Sequence, residues 1–225
     1  EILSHLLNLK YNKYTLFLPN FEIEKNLKGK IIGLDEVGRG PLAGPVISCA
    51  FIFLDYNIAE ETLLLIDDSK KLSIKKKEVV FKKIIELKKI NKIRYKLGMS
   101  NVNEIDKYNI LEATKISMRR AIKKLNISKA QLIIDGNINL DLKKYHSISI
   151  IKGDQKSYSI AAASIIAKIH RDRYMKFLSI KFPHYNWSSN AGYGTKKHIE
   201  EIHNKGITIH HRKSFEPIKS LIHSK

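Results

Sequence analysis

The sequence predicts an α/β layered domain built on a mixed sheet. Three observations carry this reading. Short apolar runs of strand character recur along the chain, and most are followed by glycine-containing turns or helical segments. Longer segments with apolar residues at helical spacing lie between them. The 225 residues are 43% hydrophobic, enough to build a core in one domain with a small appendage.

Taken in order, the N-terminal EILSHLLNLK reads as a short amphipathic helix. It lacks the basic-then-apolar order of a signal peptide. KIIGL (30–34) reads as a strand, and PVISCAFIFL (45–54) as a second, apolar throughout and therefore buried. In 73–89, Val80, Phe81, Ile84 and Ile85 share one helical face among lysines, and Ser73 suits the N-cap. KIRYKLGMS (92–100) alternates like a strand. The helix predicted over 101–125 carries Leu111, Thr114, Met118, Ala121, Ile122 and Leu125 on one stripe. QLIID (131–135) and SISII (147–151) are further strands. A helix over 157–178 is apolar or small nearly all round between Ile160 and Ile169, so it is buried. Glycine turns and short helical stretches make up the tail. The implied division is an extension (1–29), an α/β domain (30–180) and a C-terminal helical region (181–225).

Lys+Arg number 41 against 22 Asp+Glu, a net charge of +19. Such a field attracts polyanions, nucleic acid first among them. Only seven of the basic residues are Arg, and the chain is also rich in Ile and Asn, so part of the charge reads as compositional drift. Cys49 is the only cysteine and lies among apolar neighbours; it reads as a buried thiol in a chain suited to the reducing cytoplasm. No apolar run reaches the ~18 residues that span a bilayer.

The acidic residues are distributed unevenly. Between Ala113 and Ile199 the chain holds only Asp135, Asp141, Asp154 and Asp172, and no Glu. Asp135 and Asp154 follow strand-like runs, as Asp35 and Glu36 follow KIIGL. Carboxylates gathered at three strand ends repel one another, and a cation removes that repulsion. Their hard oxygen atoms suit Mg²⁺ or Mn²⁺ better than zinc. Singly, Asp135 and Asp154 could each be turn residues. Asp172, between two arginines, reads as an ion-pair residue, and Asp141 as solvent-facing.

Other chemistries find less support. No HExxH pair, Cys/His zinc pattern, GxSxG elbow or P-loop ending occurs. In GLDEVGRGPLAGPV (33–46), Gly38 and Gly40 allow a tight turn and close approach to a ligand, and Arg39 adds a phosphate-binding fork. Backbone groups at such range could also bond a ribose 2′-OH. A plain turn with a structural arginine is the alternative.

That segment, with DDSKKLS (67–73), YNILEAT (108–114), IIDGN (133–137), KGDQKSYSIAAASIIAKIHRDRYM (152–175), GYGTKKH (192–198) and HHRKSF (210–215), resembles bacterial ribonuclease HII in content and order. The related ribonuclease HIII shares the Asp-Glu pair but typically replaces the arginine of Gly-Arg-Gly. The resemblance implies an RNase H-like fold with a C-terminal helical extension. It implies cleavage of RNA in RNA–DNA hybrids, and cleavage 5′ of ribonucleotides embedded in duplex DNA, leaving 3′-hydroxyl and 5′-phosphate ends. By the same resemblance, Asp35, Glu36, Asp135 and Asp154 are the metal-binding catalytic acids. Gly38, Arg39 and Gly40 sense the 2′-OH, and Tyr193 recognises the RNA–DNA junction. Lys70 and Lys71 become candidate phosphate contacts.

The expected mechanism is two-metal hydrolysis with Mg²⁺ or Mn²⁺, one ion activating water and the other stabilising the leaving 3′ oxygen. Expected partners are RNA–DNA hybrids and duplex DNA containing ribonucleotides, with the chain a cytoplasmic monomer and no membrane contact. The rival reading is a non-catalytic basic nucleic-acid-binding protein, which would have no reason to gather four carboxylates.

Overall fold

The computed structural model describes residues 18–66 and 73–223. The predicted N-terminal helix, Lys70 and Lys71 lie outside these residues. Ahead of the sheet, the short helix α1 (Glu22–Asn26) is followed by β1 (Lys30–Val37) and β2 (Val46–Phe53). Then come α2 (Glu60–Leu63), α3 (Ile74–Lys89), β3 (Ile93–Ser100), α4 (Val102–Leu125), β4 (Ala130–Asp135) and β5 (His146–Ile150). The long helix α5 (Tyr158–Lys181) leads into the tail, which holds α6 (Trp187–Asn190), α7 (Lys196–Lys205) and α8 (Ile218–His223).

The five strands form one mixed sheet in the order β3-β2-β1-β4-β5. β1, β2 and β3 pair antiparallel, whereas β4 runs parallel to both β1 and β5. Side chains alternate across the sheet. Ile32, Leu34, Ala50 and Ile52 pack on Met118, Ala121 and Ile122 of α4. On the other face, Cys49, Phe51 and Phe53 meet the small residues of α5, including Ala161, Ala162 and Ala163. Helix and strand come so close there that a Cβ on Gly33 would stand 2.3 Å from the Ser159 backbone. The small-residue stretch of α5 thus supplies the close approach its composition predicts.

Residues 20–26 dock on the domain. The Phe21 ring lies 4.9 Å from those of Phe53 and Tyr158. Buried Glu24 accepts hydrogen bonds from the Ser157 hydroxyl (2.6 Å) and the Ser159 N–H (3.0 Å), at the start of α5.

Two expectations change. β1 does not stop at Leu34: pairing with β2 continues to Val37–Ile47, so Asp35 and Glu36 lie within the strand. The helix over 101–125 is broken at Asn109, where φ is 65°. The Asn109 side chain accepts from the N–H groups of Leu111 (2.9 Å) and Glu112 (3.1 Å), capping a second helical segment. Leu111 sits in that segment's first turn and is 41% exposed, off the buried stripe that Thr114, Met118 and Ala121 keep. Ser73 does cap its helix, accepting from the Lys76 N–H.

Candidate active site

Parallel register brings the first two acids together. Leu34 of β1 pairs with Ile134 of β4, and Asp35 and Asp135 are the next residue on each strand. Asp35 is buried and accepts from the Ser164 hydroxyl of α5 and from the Glu36 N–H (2.6 Å). Asp135 accepts from the Gly153 N–H (2.7 Å), in the 3₁₀ turn Gly153–Gln155 that follows β5. Asp154, the next residue of that turn, is also buried.

The charges are under tension. Burial pushes the Asp35 carboxyl well above the ordinary carboxylate range, and the charges of Glu36 and Asp135 push it further. Burial raises Glu36 too; Arg39 opposes that shift and Asp135 adds to it. Glu36 Oε1 stands 3.4 Å from Arg39 Nη1, while its Oε2 is buried with no hydrogen-bond partner. Among the described residues, no three acidic, His or Cys side chains converge into a ready-made coordination cage. An all-oxygen donor set, mutual repulsion and one orphaned carboxylate oxygen nevertheless fit a hard divalent cation, which would relieve both the repulsion and the orphaned oxygen.

The glycine turn is held from behind. Arg212 Nη1 donates to the Arg39 carbonyl (2.8 Å), Nη2 donates to the Gly38 carbonyl, and Nε donates to that of Gly44 (3.0 Å). Arg171 donates to the carbonyls of Pro45 (3.0 Å), Ala43 (3.1 Å) and Ala191 (2.9 Å). Both guanidiniums are fully buried. Burial pushes Arg171 down to about 10 and Arg212 to about 9, so both stay charged near neutrality. Gly38 has φ 96°, and a Cβ there would stand 2.2 Å from Arg171 Nε, so only glycine fits. The structural arginines of this turn are therefore Arg171 and Arg212, whereas the Arg39 side chain is 45% exposed. Tyr193 is 48% exposed, and its ring edge lies 3.4 Å from the point where a Gly40 Cβ would stand.

Reading the sequence missed Arg171, Arg212 and Ser164. The available signal was slight: Arg171 lies just past the apolar or small stretch 160–169, where the buried face of the helix continues, and a buried guanidinium must find acceptors on neighbouring backbone. Asp172 does form an ion pair, with Lys168 at 2.6 Å and not with the arginines beside it. Asp141 is exposed and Cys49 is buried, as expected.

Comparison with known proteins decides the family. The Ribonuclease HII family model matches residues 32–218. The chain belongs to the ribonuclease HII family. Ribonuclease HII of Wolbachia sp. subsp. Brugia malayi is 50% identical over 200 residues, covering 89% of this chain and 94% of that protein. Its counterpart in Macrococcus caseolyticus is 49% identical over 203 residues, covering 89% and 72%. Among solved structures, ribonuclease H2 from Pyrococcus horikoshii OT3 superposes with a TM-score of 0.72 at 25% identity, covering 87% of this chain and 98% of that one. Bst-RNase HIII, solved with Mn²⁺, superposes at 0.65 and 18% identity, covering 87% and 70%, and shares the fold alone. The mixed five-stranded sheet, its flanking helices and the C-terminal helices are thus an RNase H fold. As a ribonuclease HII, the chain is a metal-dependent endoribonuclease that hydrolyses RNA in RNA–DNA hybrids. The non-catalytic reading falls. Among the described residues no helix is long and apolar enough to cross a membrane.

Proposed function

We propose that this ribonuclease cleaves on the 5′ side of single ribonucleotides embedded in duplex DNA, as well as within continuous hybrids, leaving 3′-hydroxyl and 5′-phosphate ends. The observation that carries the reading is the in-register placement of Asp35 beside Asp135, with the inward-braced Gly-Arg-Gly turn beginning three residues after Asp35.

In this reading Asp35, Glu36, Asp135 and Asp154 hold two divalent ions, Mg²⁺ or Mn²⁺. When bound, such ions supply Lewis acidity that activates water and stabilises the leaving 3′ oxygen. The chain's own groups do the positioning. Ser164 orients the Asp35 carboxylate, and the Gly153 N–H holds the rotamer of Asp135. Because the carbonyls of Gly38, Arg39 and Gly44 turn inward to Arg212, the rest of the turn is free to meet the ribose 2′-OH. Arg39, half out in solvent, reaches a phosphate. The Tyr193 ring packs on the deoxyribose that follows the ribonucleotide, where a further 2′-OH would press a polar group against an aromatic face. The reducing cytoplasm, suited to the buried free thiol of Cys49, is the compartment this reading assigns.

The test is incubation of end-labelled duplex DNA carrying one ribonucleotide, with Mg²⁺, with Mn²⁺ and with neither, and products sized to one nucleotide. A single cut 5′ of the ribonucleotide, dependent on the cation, is expected. Cleavage confined to continuous hybrids would overturn the embedded-ribonucleotide reading.

A further inference from the structure

Two histidines that the catalytic reading leaves unused lie buried under the substrate-facing turns. His198 of α7 and His211 are 0% and 1% exposed, and their Nε2 atoms are 3.1 Å apart. The groups around them dictate where each proton sits. The Tyr193 carbonyl, 2.8 Å from His198 Nδ1, can only accept, so Nδ1 carries a hydrogen. The Trp187 Nε1–H donates to His198 Nε2 (3.0 Å), so that nitrogen is bare. The Thr208 N–H donates to His211 Nδ1 (2.9 Å), which leaves the His211 proton on Nε2, aimed at His198 Nε2. One neutral arrangement gives every donor an acceptor, with Trp187 and His211 sharing the lone pair of His198 Nε2: Thr208 to His211, His211 and Trp187 to His198, His198 to Tyr193. Adding a proton to either ring would set two donors face to face. Burial holds both imidazoles below their ordinary range, His211 down to about 3.

The two ends of this chain matter. One end grips the backbone of Tyr193. At the other, His211 precedes Arg212, whose guanidinium holds the Gly-Arg-Gly turn, and bridges to Ala43 in the loop after that turn. We propose that His198 and His211 are positioning residues: their hydrogen-bond relay locks the Tyr193 turn in place against the Gly-Arg-Gly turn and so sets preference for a lone ribonucleotide. The inference rests on the reading of Tyr193 as the junction residue.

The test compares His198→Leu, His198→Asn and Tyr193→Ala in the full chain, on duplex DNA with one ribonucleotide and on a continuous RNA–DNA hybrid. Leucine removes the donor to the Tyr193 carbonyl, whereas the asparagine amide places an N–H near the Nδ1 position. Both lose the contacts to Trp187 and His211, so both lower the melting temperature. His198→Leu should lower kcat/KM on the embedded ribonucleotide about tenfold relative to the hybrid, and His198→Asn should restore most of that ratio. Equal losses on both substrates, or no difference between leucine and asparagine, overturn the relay. A normal ratio in Tyr193→Ala overturns the junction reading and the relay with it; a lowered ratio there with an unchanged one in His198→Leu overturns the relay alone. Should the leucine variant not fold, ¹⁵N NMR of histidine side chains in the unaltered protein remains decisive. His198 should appear protonated at Nδ1 and His211 at Nε2, and the opposite forms would overturn the proposal.

Discussion

Arg212 donates to the main-chain carbonyl of Arg39 at 2.8 Å, so the arginine that faces solvent is held by one that never does. A buried guanidinium is costly unless its N–H groups find acceptors, and here loop carbonyls supply them. Replacing Arg212 by Met strands the carbonyls of Gly38, Arg39 and Gly44 in the interior. We expect a loss of about 2–4 kcal/mol and a melting temperature lower by on the order of 10 °C. Arg212→Lys should do little better, because one ammonium cannot span three acceptors. Thermal melts of both variants check this; a lysine variant as stable as the parent would show that charge, and not the fork, matters.

Asp135→Asn should abolish cleavage and spare substrate binding. The asparagine oxygen still accepts from the Gly153 N–H, so the turn carrying Asp154 stays in place, while the charge that holds a cation is gone. Binding to a labelled hybrid and its cleavage are measured side by side. Near-parent activity at saturating Mg²⁺ would remove Asp135 from the metal site.

Asp35→Asn should be inactive yet more stable than the parent at neutral pH without divalent ions. Burial and the neighbouring charges raise Asp35 in the folded chain, so the fold takes up a proton more readily than the unfolded chain does. Ionisation therefore opposes folding. The opposition is absent below the unfolded carboxylate value of about 4, grows as pH rises above it, and is complete above the folded-state value. Melting curves with chelator should show the variant's advantage shrinking as pH falls. Mg²⁺ should then stabilise the parent more than the variant. A variant less stable than the parent at pH 7 contradicts the argument.

Substrate binding should weaken steeply with salt. A chain of net charge +19 releases counterions on meeting a duplex, and log K falls by ~0.9 per phosphate neutralised. Titrations at several salt concentrations give the slope, and a flat response would make the lysines bystanders.

The sequence by itself determined the family, most of the strands and the acids that follow them. An apolar run followed by Asp or Asp-Glu is a local pattern, and it stays legible because strand pairing keeps the residues in chain order: Asp35 and Asp135 meet through simple parallel register. Local patterns misled where a polar side chain competed with the helix, as Asn109 does by capping a new segment and turning Leu111 outward. Only the tertiary structure decided what supports the site. Apart from the Ala191 carbonyl, 20 positions on from Arg171, the carbonyls that Arg171 and Arg212 bind lie 126 to 174 positions away in the chain, and no periodicity marks such a partner. The proton positions of His198 and His211 depend equally on Trp187, Thr208 and the Tyr193 carbonyl. A buried donor is satisfied by whichever acceptor the fold brings to it, and that meeting is a property of the packed chain rather than of any segment within it.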